Sequence, residues 1–422
     1  MTAASTRRQF LRTGALAAGA MVMAGRARAV QGANDRLGIG LIGAGGRGND
    51  HLRQLHWLKT QAAEPIEIVA VCDVYRPRAD QTAVAYGAKA YMDHRDLLAD
   101  KNVDVVCIAT PDHHHAYQVI DAVEAGKDTY CEKPVTHWRQ FDLLKRMRQA
   151  VKKSGRVFQL GTQAMSDSAW HQMKRLVQAG AIGRPLFGET GFFRIGDWGE
   201  RGMAVDDPNA KPGKDLNWES FLGDAPKREF SVDRLFRWRL FEDYAGGPAT
   251  DLYPHCLTQV IDILGVNLPG TVVALGGIHR YKDDLREVPD TINILADYPE
   301  KVSISMVGSQ GNDYQGTGNY GSGARIPIMR GWDGTLTIQA KEIVLTYNAD
   351  LKKEPKRFPI EKSEDFVSYW QHFLNCCRKR DTNTLSPVDL AYRTQTMLIM
   401  ASLALRQGKV ARFDASKEAI AM

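Results

Sequence analysis

The first 29 residues contain no acidic side chain, and that absence accounts for the charge of the whole chain. Arg7, Arg8, Arg12, Arg26 and Arg28 fall there, while the rest of the chain holds 50 basic against 49 acidic residues and is close to neutral. No basic stripe interleaved with aromatics remains, so the electrostatic footprint of a nucleic-acid binder is missing. Long apolar runs are missing too. The best candidate, "TGALAAGAMVMAG", has 13 residues, too few for a bilayer core of about 30 Å, so stable membrane insertion is not expected. Cysteine is scarce, six in 422 residues, with no CxxC and no His-spaced zinc pattern. Neither a disulfide scaffold nor a zinc module is therefore expected. Cys72, Cys107 and Cys131 fall at or near the ends of strand-like runs, where a small buried thiol is usual. No internal repeat is present, and the only biased tract is glycine-rich 310–324.

What is present at the start reads as an address. Ser5-Thr6-Arg7-Arg8-Gln9-Phe10-Leu11-Arg12 precedes the short apolar run, and Ala27-Arg28-Ala29 offers a small-x-small cleavage pattern. Residues 1–29 are expected to be a twin-arginine export signal, followed by a linker over 30–36. A bacterial source and a periplasmic or extracytoplasmic location follow from that expectation.

A length of 422 residues predicts two domains. From Leu37, strand-length apolar runs at 37–42, 66–72, 103–109, 129–131 and 156–160 alternate with helical periodicity at 116–125 and 138–154. This alternation predicts an α/β domain over 37–161, a doubly wound parallel sheet covered on both faces. The style then changes. A helix at 169–179 leads into alternating runs at 186–194, 271–279, 291–298 and 301–308, the last two joined at Pro299-Glu300. Residues 162–422 are expected to form an α+β domain with a large, mostly antiparallel sheet, closed by a helix over 388–406.

Gly43-Ala44-Gly45-Gly46-Arg47-Gly48 follows a predicted strand and opens a predicted helix, with Asp73 ending the next strand. That is the context the dinucleotide fingerprint requires. Gly43 permits the tight turn, Gly45 and Gly46 let a pyrophosphate approach the helix N-terminus, and Gly48 allows close helix–strand packing. Asp73 would accept hydrogen bonds from a ribose, favouring NAD; Arg76 and Arg78 keep NADP open. Thr110-Pro111-Asp112-His113-His114-His115 ends the third long strand, the edge where open α/β sheets bind ligands. Consecutive histidines in a turn cannot converge on one ion, so no metal is expected. Thr110 and Pro111 are expected under the nicotinamide ribose, with His113 and His115 beside the cofactor. Glu132-Lys133-Pro134 puts an ion pair and a helix breaker at another strand end. In "GGPATDLYPHC" (246–256), Asp251 and His255 are expected to share one face of a helix.

Together these motifs resemble the glucose-fructose oxidoreductase, inositol dehydrogenase and rhizopine-catabolism family, from Leu37 to about Asp414. The resemblance implies an NAD(P)-dependent oxidoreductase acting on a secondary alcohol of a sugar, sugar derivative or cyclitol. It implies that Lys133, Asp251 and His255 face the nicotinamide, His255 as base, Asp251 orienting it and Lys133 bonding the reacting oxygen. Glu132 and Gln163 would border the cofactor; Arg194, Trp198, Trp238, Tyr244 and Tyr253 are candidates for contacting the sugar. Two alternatives stay open: a redox-neutral NAD-dependent glycosidase, whose branch alters the lysine position, and a non-catalytic dinucleotide sensor. The resemblance also implies a homo-oligomer, a dimer or tetramer.

Overall fold

The computed structural model describes residues 36–195, 203–282, 285–314, 324–362 and 365–422. The expected export signal and all of the expected linker but Arg36 lie outside the described residues, as does Trp198.

Six strands, β1 (Leu37–Ile42), β2 (Ile66–Cys72), β3 (Lys89–Tyr91), β4 (Val105–Ile108), β5 (Asp128–Glu132) and β6 (Phe158–Gly161), pair in parallel in the order β3-β2-β1-β4-β5-β6. Runs such as Ile66–Cys72 are rich in β-branched residues because helices cover both faces of a parallel sheet. The order reverses between β1 and β4, which opens a crevice at the carboxyl ends of those strands. The short edge strand β3 is an addition to the expected set.

The second sheet has ten strands: β7 (Pro185–Phe193), β8 (Thr271–Gly277), β9 (Thr291–Tyr298), β10 (Val302–Ser309), β11 (Ala324–Gly331), β12 (Gly334–Gln339), β13 (Glu342–Tyr347), β14 (Lys356–Pro359), β15 (Ala411–Asp414) and β16 (Ala419–Ala421). Their order is β14-β13-β12-β11-β7-β10-β9-β8-β15-β16. Only β7 with β10 is parallel among the described pairings. β9 alternates buried with mostly exposed residues and β10 buried with half-buried ones, both with period two, so one face packs on helices and the other is the more open. Ile294, Ala296, Ile304 and Met306 join the helix Pro254–Leu264 in one core.

Two features position the site. The helix Val388–Gln407 belongs to the second half of the chain, yet its Val388, Ala391, Tyr392 and Ile399 pack into the core of the first sheet. Residues 203–245 form a separate aromatic core, with Trp218, Phe221, Phe236, Trp238 and Tyr244 closing on Tyr75 of the first domain. All six cysteines are buried and none is in a disulfide.

Candidate active site

The fingerprint turn leaves β1 and enters the helix Gly46–Gln61. Gly43 has φ +95°, and a Cβ there would stand 2.7 Å from the Ala109 carbonyl oxygen; only glycine fits. A Cβ on Gly48 would stand 2.0 Å from the Gly43 oxygen, so this contact also demands glycine. Gly46 is the reverse case, with open space for 4 Å around it, and Gly45 meets only the tip of Arg78 at 3.5 Å. The first turn of the helix carries no acidic residue, so its N–H groups and dipole face an open cradle suited to a pyrophosphate. Asp73 directly follows β2, its carboxylate aimed by two backbone amides, Ala44 and Tyr75, each at 2.9 Å.

This cradle is one end of a cavity of about 630 Å³ lined by Gly45, Asp73, Thr110, Pro111, Trp238 and Arg239, among others. The first domain supplies its floor and residues 203–239 its roof. The Trp238 ring lies under the Arg239 guanidinium, 4.1 Å away.

Arg239 connects the cavity to the cluster built around Asp251. Its Nε is 3.4 Å from Asp251 Oδ1, and Arg194 Nη2 is 3.6 Å from Oδ2. Lys133 Nζ donates to Asp251 Oδ1 at 2.9 Å and to its main-chain oxygen at 2.6 Å. Burial opposes the charge on Asp251, but Lys133, Arg239 and Arg194 outweigh it and hold the carboxyl below its usual range. Asp251 and His255 do not lie on one continuous helix. Pro248 opens a four-residue helix ending at Asp251, and Pro254 opens the next at its first position, because proline cannot continue the ladder of the preceding turn. No hydrogen bond joins Asp251 to His255 among the described residues; Asp251 orients Lys133 instead. Burial and the nearby Lys133 push His255 down to about 3, so it is a neutral imidazole at physiological pH.

Glu132 is buried under Lys133 and Arg47. Its Oε1 accepts from Arg47 Nε, His51 Nε2 and Gln163 Nε2, each at 2.8 Å, and its Oε2 from the Lys133 N–H at 3.2 Å. Burial alone would raise this carboxyl; Arg47 and His51 win and hold it well below the usual range. The indole N–H of Trp370 donates to His51 Nδ1 at 3.0 Å. Since an indole only donates, Nδ1 carries the lone pair and Nε2–H points at Glu132.

Several expected contacts take other roles. His113 is buried and reaches the Phe221 carbonyl at 2.8 Å, fastening the roof rather than facing the cavity. His114, given no role from the sequence, lines the cavity and reaches the same carbonyl at 2.7 Å. His115 is buried between the carbonyls of Pro134 (2.5 Å) and Thr110 (2.8 Å), tying the two loops together. Gln163 is buried and supports Glu132 and Tyr130. Tyr244 is fully buried against His113 and Phe221. Tyr253 is fully buried with its hydroxyl on the Ile292 carbonyl at 2.5 Å, so neither tyrosine is placed to touch a sugar. Sequence reasoning also passed over Asp112 and Arg239. Asp112 is 4% exposed, its Oδ2 has no hydrogen-bond partner among the described residues, and burial pushes it up to about 7. The one signal for Arg239 is its place in the aromatic–cationic run "FRWRLF". No cluster of His, Cys, Asp or Glu arranged to hold a metal ion occurs among the described residues, and no helix of the described residues is long and apolar enough to cross a membrane.

A doubly wound sheet with a glycine cradle, an aimed Asp73 and a second domain roofing the cleft defines a two-domain dinucleotide-binding protein. The chain belongs to the Gfo/Idh/MocA oxidoreductase family: residues 37–162 match its NAD-binding Rossmann fold and residues 166–422 its C-terminal alpha/beta domain. NAD is the cofactor of this fold. Similar proteins include inositol 2-dehydrogenase of Salmonella typhimurium, 36% identical over 153 residues, which are 36% of this chain and 44% of that protein. The inositol 2-dehydrogenase of Burkholderia multivorans is 29% identical over 231 residues, 54% of this chain and 61% of its own. Both matches therefore span less than two thirds of the relative. Among solved structures, levoglucosan dehydrogenase with NADH and levoglucosan superposes with a TM-score of 0.63 at 18% identity, covering 92% of this chain and 99% of that one. The WlbA dehydrogenase of Bordetella pertussis with NADH and UDP-GlcNAcA gives 0.63 at 18% identity, covering 90% and 99%. These two likenesses are of fold.

Proposed function

We propose that the protein is an NAD-dependent dehydrogenase acting on a secondary alcohol of a sugar, sugar derivative or cyclitol. The observation that carries the reading is Lys133, held by Asp251 at 2.9 Å beside a cradle suited to the dinucleotide. The inositol dehydrogenases among its relatives and the sugar-bound neighbours support the substrate class. Bound in the cleft, NAD supplies the hydride acceptor, or NADH the donor. The chain supplies position and charge. Gly45, Gly46 and the helix N-terminus hold the pyrophosphate; Asp73 holds the ribose; Thr110 and Pro111 lie along the floor towards the nicotinamide. Lys133 Nζ donates to the reacting oxygen and stabilises its alkoxide character. His255 is neutral at working pH, so a ring nitrogen is open to the alcohol proton; held at about 3 it is a weak base until the negative charge developing on the reacting oxygen raises its proton affinity. Asp251 fixes Lys133 and offsets its charge.

The leader sequence supports export of the folded protein by the twin-arginine pathway, with the cofactor loaded before export. The exposed, partly apolar face of the second sheet, with Val273 opposite Leu295 and Leu275 beyond them, supports a homo-oligomer. The test of function is a panel of sugars, cyclitols and glycosides mixed with natively exported protein, followed by the absorbance of reduced nicotinamide. A rise that persists until a ketone or aldehyde is added is the expected result. Release of free sugar from a glycoside with no lasting rise would overturn the reading, as would full turnover in His255→Ala with cofactor still bound.

A further inference from the structure

Arg76 and Arg78 follow Asp73 closely, the arrangement in which an arginine can accommodate a 2′-phosphate. In the fold both guanidinium groups are engaged by aspartates of the second domain. Arg78 Nε is 2.5 Å from Asp206 Oδ2, and its guanidinium lies over the Phe236 ring at 4.9 Å. Arg76 Nε is 3.5 Å from Asp215 Oδ1. Arg78 is part of the cofactor site: it lines the cavity beside Asp73, with its tip against Gly45. The segment carrying both aspartates is fastened to this end of the cavity by its backbone. Tyr75 and Leu216 form an antiparallel bridge, Asn217 N–H donates to the Val74 carbonyl at 2.9 Å, and Arg76 N–H donates to the Asp215 carbonyl at 2.8 Å. The Tyr75 hydroxyl donates to Asp207 at 3.2 Å.

We propose that Asp206 is a cofactor-specificity residue lent by the second domain, which occupies Arg78 and so makes the site take NAD and refuse NADP. Asp73, Arg78 and Asp206 lie in a row of net charge −1. A 2′-phosphate entering it brings about −2 and finds its one partly buried cation already neutralised. The Arg76–Asp215 pair is about half exposed on both sides and contributes less, because water screens it. The inference rests only on dinucleotide binding and is independent of the substrate.

The experiment compares NAD and NADP dissociation constants of the full chain, read by calorimetry or by fluorescence of the cavity tryptophan Trp238. Asp206→Asn is expected to tighten NADP by about tenfold, the value of one freed charge-assisted hydrogen bond, while changing NAD little. Arg78→Ala added to Asp206→Asn is expected to erase the gain. Arg78→Ala alone exposes both carboxylates and is expected to weaken NADP further. An unchanged NAD-to-NADP ratio in Asp206→Asn with a wild-type melting temperature would overturn the proposal. So would an Arg78→Ala variant that binds NADP better than the wild type, a result legible even if Asp206→Asn folds poorly.

Discussion

Replacing Asp112 by Asn should stabilise the protein increasingly as pH rises, and the size of the effect follows from where this residue sits. The carboxyl is 4% exposed and carries an unpartnered oxygen, so burial raises it to about 7, against about 3.9 in an unfolded chain. Between those values the unfolded state has lost this proton and the folded state keeps it. Stability therefore falls with rising pH, by about 1.4 kcal/mol per unit for one proton. Over about three units the loss is about 4 kcal/mol. It is fully absent below pH 4 and complete above pH 7. Asparagine cannot ionise, so Asp112→Asn escapes the whole decline. Thermal melts of both proteins at half-unit intervals from pH 4 to 8 read the difference directly. The gap in melting temperature should open in favour of the variant across that window and then hold constant. A constant offset would reflect only the altered packing. A gap that stays flat from pH 4 to 8 would refute the reasoning, because it would mean that Asp112 is ionised in the fold as it is outside it.

Gly48→Ala should cost about 1–3 kcal/mol or prevent folding, since its Cβ would press on the Gly43 oxygen, whereas Gly46→Ala should fold normally and differ only in NAD affinity; melting curves with and without NAD separate the two. Glu132→Gln presents an amide to a group of four donors and should lower stability by about 3 kcal/mol or more, measured by the same melts. Lys133→Met should reduce turnover by about 10²–10³-fold while NAD binding, followed by calorimetry, persists. Asp112 interacts electrostatically with Arg239 and Lys133, so the pH profile of kcat/KM should show a one-proton change near 7 in the wild type and none between pH 5 and 8 in Asp112→Asn, because His255, at about 3, stays neutral throughout. A surviving limb near 6.5 in that variant would assign the titration to His255.

The first domain was legible because its signals are local. The apolar runs ending at Ile42, Cys72 and Ala109 and the glycine spacing at 43–48 are set within a few residues, and the structure has strands and a tight turn there. The pair β9–β10 was legible from alternation and from Pro299-Glu300. Strands β11 to β14 were not, since they follow the glycine-rich tract and hold together mainly through neighbouring strands. β3, β15 and β16, of three or four residues, are too short to show a period. In the site, the residue types of the motifs were readable but their partners were not. Asp251 and His255 are four apart in sequence, yet Pro254 restarts the helix between them, and the nearest charge to Asp251 is 118 residues away at Lys133. Tyr253 and Tyr244 are polar aromatics in promising stretches, and burial gives both of them to the core. Whether a polar side chain faces a cleft or a carbonyl is decided by tertiary packing, which no spacing encodes.

Trp370 donates its indole hydrogen to His51 across 319 residues of chain, and this has a consequence for the order of manufacture. The nucleotide domain leaves the ribosome first, and domains generally fold as they emerge. Here the early domain waits for a late part: until the helix Phe366–Lys379 arrives, His51 is free to hold its proton on either nitrogen and Glu132 has no fixed donor from it. A nascent chain can thus form its sheet and glycine turn early, while the His51–Glu132 support beneath Lys133 is completed only once the helix Phe366–Lys379 has been translated.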